Sequence, residues 1–185
     1  VAWVLQDDFA LLGDLQVVGV FAIVRSLVSV VTGGGCLMAF WLLLFDYLGN
    51  QAKDWDTRIL ATDISAQALS KAQKGVYDLP DTIPSDWKKK YFTANKDGSY
   101  TVAPAVRNNV IFRPFNLMDP IAFRRKFDLI FCRNVMIYFD QPTKDSLVRR
   151  FYDATVPGGY LLISYSENLS PNMPYRRLAT ATFQK

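Results

Sequence analysis

The stretch Phe127 to Asp140, Phe-Asp-Leu-Ile-Phe-Cys-Arg-Asn-Val-Met-Ile-Tyr-Phe-Asp, constrains the fold more than any other. It begins with a short apolar run, Leu129 to Cys132, too brief for a core helix and bounded by charge on both sides. The run therefore reads as a buried strand. Polarity returns abruptly at Arg133 and Asn134. Ligands of an open α/β sheet bind beyond the carboxyl ends of its strands. An Arg-Asn pair at such an end is placed to meet a charged small molecule, although the pair alone would also suit a plain solvated strand end. Val135 to Phe139 then brings Tyr138 near the same rim.

The rest of the chain repeats this pattern. Arg58-Ile-Leu-Ala-Thr-Asp63 is a short strand ending in an acid. Ser65 can cap a helix over Ala66 to Lys74, and Gly75 can end it. Val110 to Phe115 reads as a third parallel strand, with Asn116 and Leu117 just past its end, and Phe127 to Cys132 as the fourth. Lys144 to Thr155 has the apolar stripe of an amphipathic helix: Leu147, Val148, Phe151 and Tyr152. Pro157-Gly158-Gly159 turns the chain into a fifth strand, Tyr160 to Ser164, and Tyr175 to Phe183 suits a closing antiparallel hairpin. Lys96-Asp97-Gly98 is a hairpin signal between Tyr91-Phe92-Thr93 and Tyr100-Thr101-Val102, an antiparallel unit that interrupts the α/β series.

Residues 26–45 carry no charge over twenty positions, long enough for a membrane span. Gly33-Gly34-Gly35 at its centre would cost one continuous helix about 1 kcal/mol per glycine. Strand, glycine turn and buried helix is the better reading, because a nucleotide-like cofactor needs close backbone approach after a first strand. About 30 residues further on, Asp63 stands where such folds place the acceptor for ribose hydroxyls; a simple turn-forming role is the alternative. Residues 1–25 could form one or two short helices, with no signal-peptide layout.

The net charge is +4, with no histidine, two cysteines (Cys36 and Cys132) and one glutamate, Glu167. Triads and zinc sites that use histidine are thereby excluded, no metal site is expected, and no disulfide framework exists, as in a reducing cytosol. Residues 49–185 hold 20 basic and 13 acidic groups, a mild surplus that suits an acidic protein partner or nucleic acid and does not decide between them.

From Arg58 onward the chain resembles the chemotaxis receptor methyltransferases. The likeness is carried by Ile-Leu-Ala-Thr-Asp-Ile-Ser (59–65), Gly75-Val-Tyr77, Tyr91-Phe92, Asn116-Leu117, Cys-Arg-Asn-Val-Met-Ile-Tyr-Phe (132–139), Pro157-Gly-Gly159 and Ser166-Glu167-Asn168-Leu169, all in family order. The resemblance implies an α/β fold of the Rossmann-like class I methyltransferase type. Its mostly parallel sheet would have an antiparallel end hairpin and a small inserted β-subdomain at about 86–109. The methyltransferase domain would occupy 26–185, and 1–25 would be a remnant of an N-terminal helical region.

The resemblance also implies S-adenosyl-L-methionine as cofactor, S-adenosyl-L-homocysteine as product, and glutamate side chains on the cytoplasmic helices of chemoreceptors as substrate. The protein would be a cytoplasmic monomer, with no nucleic-acid partner and no direct membrane insertion. By family position, Gly34, Asp63, Asn116, Leu117, Arg133 and Asn134 would bind the cofactor, and Tyr138 with Arg133 would be catalytic. The first 48 residues depart from the pattern. The two acids of the family's glycine turn become Gly35 and Cys36, and the family's upstream Phe-Phe-Arg falls on Leu11-Leu12-Gly13, so a cofactor-contacting acid and an arginine are missing. A non-catalytic relative that binds cofactor or receptor is therefore the alternative.

Overall fold

The computed structural model describes residues 27–31 (as backbone), 47–49, 57–79, 83–133 and 135–185. The glycine turn at 33–35, the segment after it, residues 1–25, and Asn134 lie outside the described residues. Among the described residues, no helix is long and apolar enough to cross a membrane.

The strands are β1 (Leu27–Val31), β2 (Ile59–Asp63), β3 (Val76–Tyr77), β4 (Phe92–Ala94), β5 (Tyr100–Val102), β6 (Val110–Pro114), β7 (Phe127–Arg133), β8 (Thr155–Ile163), β9 (Arg176–Ala179) and β10 (Thr182–Gln184). Among the described residues, seven form one sheet in the order β6-β2-β1-β7-β8-β10-β9. The pairs from β6 to β8 are parallel, and the β8–β10 and β10–β9 pairs are antiparallel. The order reverses at β1, which pairs with β2 on one side and β7 on the other. That is a topological switch point, where α/β sheets open a crevice for ligands.

Both faces of β7 are covered, which is why its sequence is continuously apolar rather than alternating. Leu129 and Phe131 belong to one core with Ile59, Tyr91, Phe92, Val102, Val106 and Leu162. Ile130 and Cys132 belong to the opposite core with Leu147, Val148, Phe151, Leu161 and Ile163. Pro114 ends β6 at the sheet's edge, where its missing N–H leaves no central ladder incomplete.

The helix Ala66–Lys74 forms where expected. Ser65 Oγ accepts the Ala68 N–H, and Gly75 (φ 63°) closes the end by donating to the Ala72 carbonyl. The long helix runs Gln141–Ala154, starting three residues before the Lys144 expected from its apolar stripe. Asp140 accepts the Thr143 N–H at 3.0 Å, and Pro142 sits in the first turn, where a helix has no intrahelical use for an N–H. Helix and next strand meet at Thr155, whose hydroxyl donates back to the Phe151 carbonyl at 2.7 Å.

Pro157-Gly158-Gly159 is an irregularity inside β8 rather than a turn before it. The partners of Phe127 and Leu129 jump from Thr155 to Tyr160. Gly158 takes φ 78°, and a Cβ on Gly159 would stand 2.9 Å from the Asp128 carbonyl oxygen. The small sheet has the order β3-β5-β4, so Val76–Tyr77, upstream of residue 86, joins the expected hairpin. The hairpin tip is fastened by Asp97, which accepts both the N–H and the hydroxyl of Ser99, and Gly98 takes φ 85°.

Candidate cofactor site at the carboxyl edge

The parallel strands end nearly level around the switch point. Val31, last in β1, pairs with Arg133, last in β7, and Val30 pairs with Thr62 beside Asp63. Two strand spacings therefore separate the backbones of Asp63 and Arg133, about 10 Å. On the other side Asp63 pairs with Pro114, and the Phe115 N–H donates to the Asp63 carbonyl at 3.1 Å, so Asn116 lies next to Asp63. Three residues from distant parts of the chain thus share one rim.

Asp63 and Asn116 are each fixed by a local turn. One carboxylate oxygen of Asp63 accepts the Ser65 N–H at 2.8 Å. This is the turn-forming role that competed with ribose binding, and it uses one oxygen only. The second is left to accept from a ligand hydroxyl. Asn116 Oδ1 likewise accepts the Met118 N–H at 3.0 Å, which leaves its amide N–H groups to donate. An acid beside an amide is a donor and acceptor set that fits a nucleoside. Leu117 is buried, with its side chain in the core, so only its backbone could face a ligand.

Arg133 is half-buried, and its guanidinium lies 5.6 Å from the centre of the Tyr165 ring, a cation–π contact. Tyr165 follows β8, the strand next to β7, and the sequence did not single it out. The turn carrying it is closed by Glu167. That residue donates its N–H to the Ser164 carbonyl, and its carboxylate accepts the Ser164 N–H, both at 3.0 Å. Glu167 is buried, and among the described residues its other oxygen has no hydrogen-bond partner. Burial, reinforced by the Glu167 charge, pushes the Cys132 thiol far above the ordinary cysteine range.

Tyr138 ends a single 3-10 turn, Met136–Tyr138, and is 79% exposed. Val135, Met136, Ile137 and Phe139 around it are apolar side chains, which a buried setting suits. Met136 is buried and Phe139 half-buried, but Ile137 is 46% exposed. The turn is too short to return every apolar residue to one face, so Ile137 shares the rim with Tyr138. Gly34 and Asn134 fall outside the described residues.

Residues 37–183 match the family model described as CheR methyltransferase, SAM binding domain. The chain belongs to that family. It is 37% identical over 147 residues to the chemotaxis protein methyltransferase of Borreliella burgdorferi, covering 78% of this chain and 52% of that protein. It is 40% identical over 120 residues to chemotaxis protein methyltransferase 1 of Pseudomonas aeruginosa, covering 63% and 43%. The chain therefore spans about half the length of the curated relatives it matches.

Among solved structures, the glycopeptide N-methyltransferase MtfA complexed with sinefungin shares the fold. Its TM-score is 0.50 at 12% identity, over 81% of this chain and 50% of that one. The fold of this CheR-family chain is that of a class I methyltransferase, and its match to a SAM binding domain makes S-adenosylmethionine its cofactor.

Proposed function

We propose that the chain is the catalytic domain of a protein-glutamate O-methyltransferase, acting in the cytoplasm as a monomer on the cytoplasmic helices of chemoreceptors. The observation that supports this best is the place of the string Cys132–Phe139. It leaves the central strand β7 beside the switch point, with Arg133 at the strand end and the exposed Tyr138 five residues further on. The chemotaxis names of the relatives support the receptor as substrate.

The cofactor, when bound, supplies a methyl group on a sulfonium. The accepting glutamate needs no general base, because a free Glu has a pKa of about 4.3 and is ionised at neutral pH. The chemistry the cofactor would supply is transfer of that methyl group to one carboxylate oxygen, leaving the thioether S-adenosylhomocysteine. What remains for the protein is positioning and exclusion of water. Asp63 would accept from the ribose hydroxyls, Asn116 and the Leu117 backbone would flank the adenine, and Arg133 with Asn134 would line the amino-acid end. The Tyr138 hydroxyl donates to one oxygen of the incoming carboxylate and leaves the other free to attack.

The test is transfer of an isotope-labelled methyl group to receptor cytoplasmic domains. The product should be a base-labile methyl ester that releases labelled methanol. Binding of S-adenosylhomocysteine without any transfer would make the chain a non-catalytic relative instead. The departures at Leu11-Leu12-Gly13 and at Gly35 and Cys36 favour that second reading.

A further inference from the structure

One face of the helix Gln141–Ala154 carries Thr143, Ser146 and Arg150, spaced three and four residues apart. This face, with Pro142, looks across a cavity of about 500 Å³ at Met118 and Pro120, in the segment that leaves β6. A side-chain hydrogen bond crosses the gap. Arg150 Nη1 donates to the Asp119 carbonyl at 2.7 Å, joining residues 31 apart in the chain. From Asp119 the hydrogen bonding continues to the site. The Asp119 N–H donates to the Asn116 carbonyl at 2.9 Å, and the Met118 N–H to Asn116 Oδ1 at 3.0 Å.

The Nε of Arg150 is buried and has no hydrogen-bond partner among the described residues. A buried donor without an acceptor weighs against the folded state, and an apolar side chain of similar length would avoid that cost. The benefit of an arginine here is therefore local: it holds the Asp119 carbonyl and, through it, the turn that shapes Asn116.

We infer that Arg150 is a positioning residue for the cofactor's adenine, fixing the Asn116–Asp119 turn before the ligand arrives. Ordering a binding turn in advance lowers the entropy lost on binding and so raises affinity without a direct contact. The inference rests on the reading that Asn116 and Leu117 flank the adenine.

The test compares Arg150→Met, Arg150→Lys and, as a control, Arg149→Ala, whose side chain is exposed on the same helix. Three quantities are read on the whole chain: calorimetric affinity for S-adenosylhomocysteine, melting temperature, and amide exchange at Met118 and Asp119. Arg150→Met should bind about tenfold more weakly, a loss of about 1.4 kcal/mol. It should exchange faster at both amides and melt no lower than the parent. Arg150→Lys, whose ammonium can reach the same carbonyl, should recover part of the affinity, and Arg149→Ala should match the parent. Parent-like affinity in Arg150→Met overturns the inference. So does an affinity loss that tracks a fall in melting temperature and is not recovered by lysine. If the parent itself fails to bind S-adenosylhomocysteine, the adenine reading falls. Unchanged exchange at Met118 and Asp119 would overturn the hold by Arg150 independently of that result.

Discussion

Within β7 no residue from Phe127 to Cys132 is more than 7% exposed, whereas five residues past Arg133 the chain shows Tyr138 at 79%. The same contrast recurs along the sheet. Ile59 is fully buried and Ile64 exposed; Ile163 is buried and Tyr165 exposed. Ile64, Met118, Ile137, Tyr138 and Tyr165 all lie just beyond the carboxyl ends of parallel strands. Apolar side chains at that edge add little to folding, because they stay in water. They suit a ligand or partner that brings its own flat apolar surface. Interior and edge should therefore respond to mutation in different measurements: stability for the first, affinity and turnover for the second.

The largest effect belongs to the interior. Phe151→Ala removes a buried ring from the core between the long helix and the sheet, and should cost about 3–5 kcal/mol in denaturant unfolding. A loss below about 1 kcal/mol would mean that this core is loosely packed. At the edge, Asp63→Ala should weaken S-adenosylhomocysteine by roughly 10- to 150-fold, the value of one or two hydrogen bonds to a charged acceptor. Unchanged affinity in calorimetry would leave Asp63 with only its turn to Ser65. Tyr138→Phe keeps the ring and removes the hydroxyl. Turnover should fall by at least about tenfold with cofactor affinity and melting temperature unchanged, and full turnover would reduce Tyr138 to a surface side chain.

The smallest expected effect is at low pH. The carboxyls of Asp97, Asp140 and Asp145 are held below the usual range, chiefly by hydrogen bonds from Ser99, Thr143 and Ser170. A depressed folded-state pKa gives stability above the unfolded value near 4, lost as pH falls through the folded value. Asp97→Asn should shallow the acid limb of the stability profile slightly. An identical limb would show that the hairpin tip carries none of it.

The sheet was legible in the sequence because its central strands are buried on both faces and end in abrupt polarity, at Asp63 and Arg133. The helix Ala66–Lys74 was legible from its caps, Ser65 and Gly75. Val76–Tyr77 was not, since two residues are too few to show any period. The first turn of the long helix was hidden because Asp140, Gln141 and Pro142 lie outside the apolar stripe, and only the cap geometry reveals them. At the site, the strand ends could be listed but not their attachments. The contact of Tyr165 with Arg133 and the reach of Arg150 to Asp119 join residues 32 and 31 positions apart, and no local pattern announces either.

Cys132 sits at the centre of the sheet, fully enclosed, with a thiol that burial and Glu167 hold in its protonated, unreactive form. An alkylating reagent cannot modify it until β7 parts from its neighbours, so the rate of labelling becomes a clock for the opening of the central strands. In a Cys36→Ser background that clock would read a single position. Ligands that clamp the strand ends should slow it, which would turn an inert buried atom into a reporter of occupancy at the edge above it.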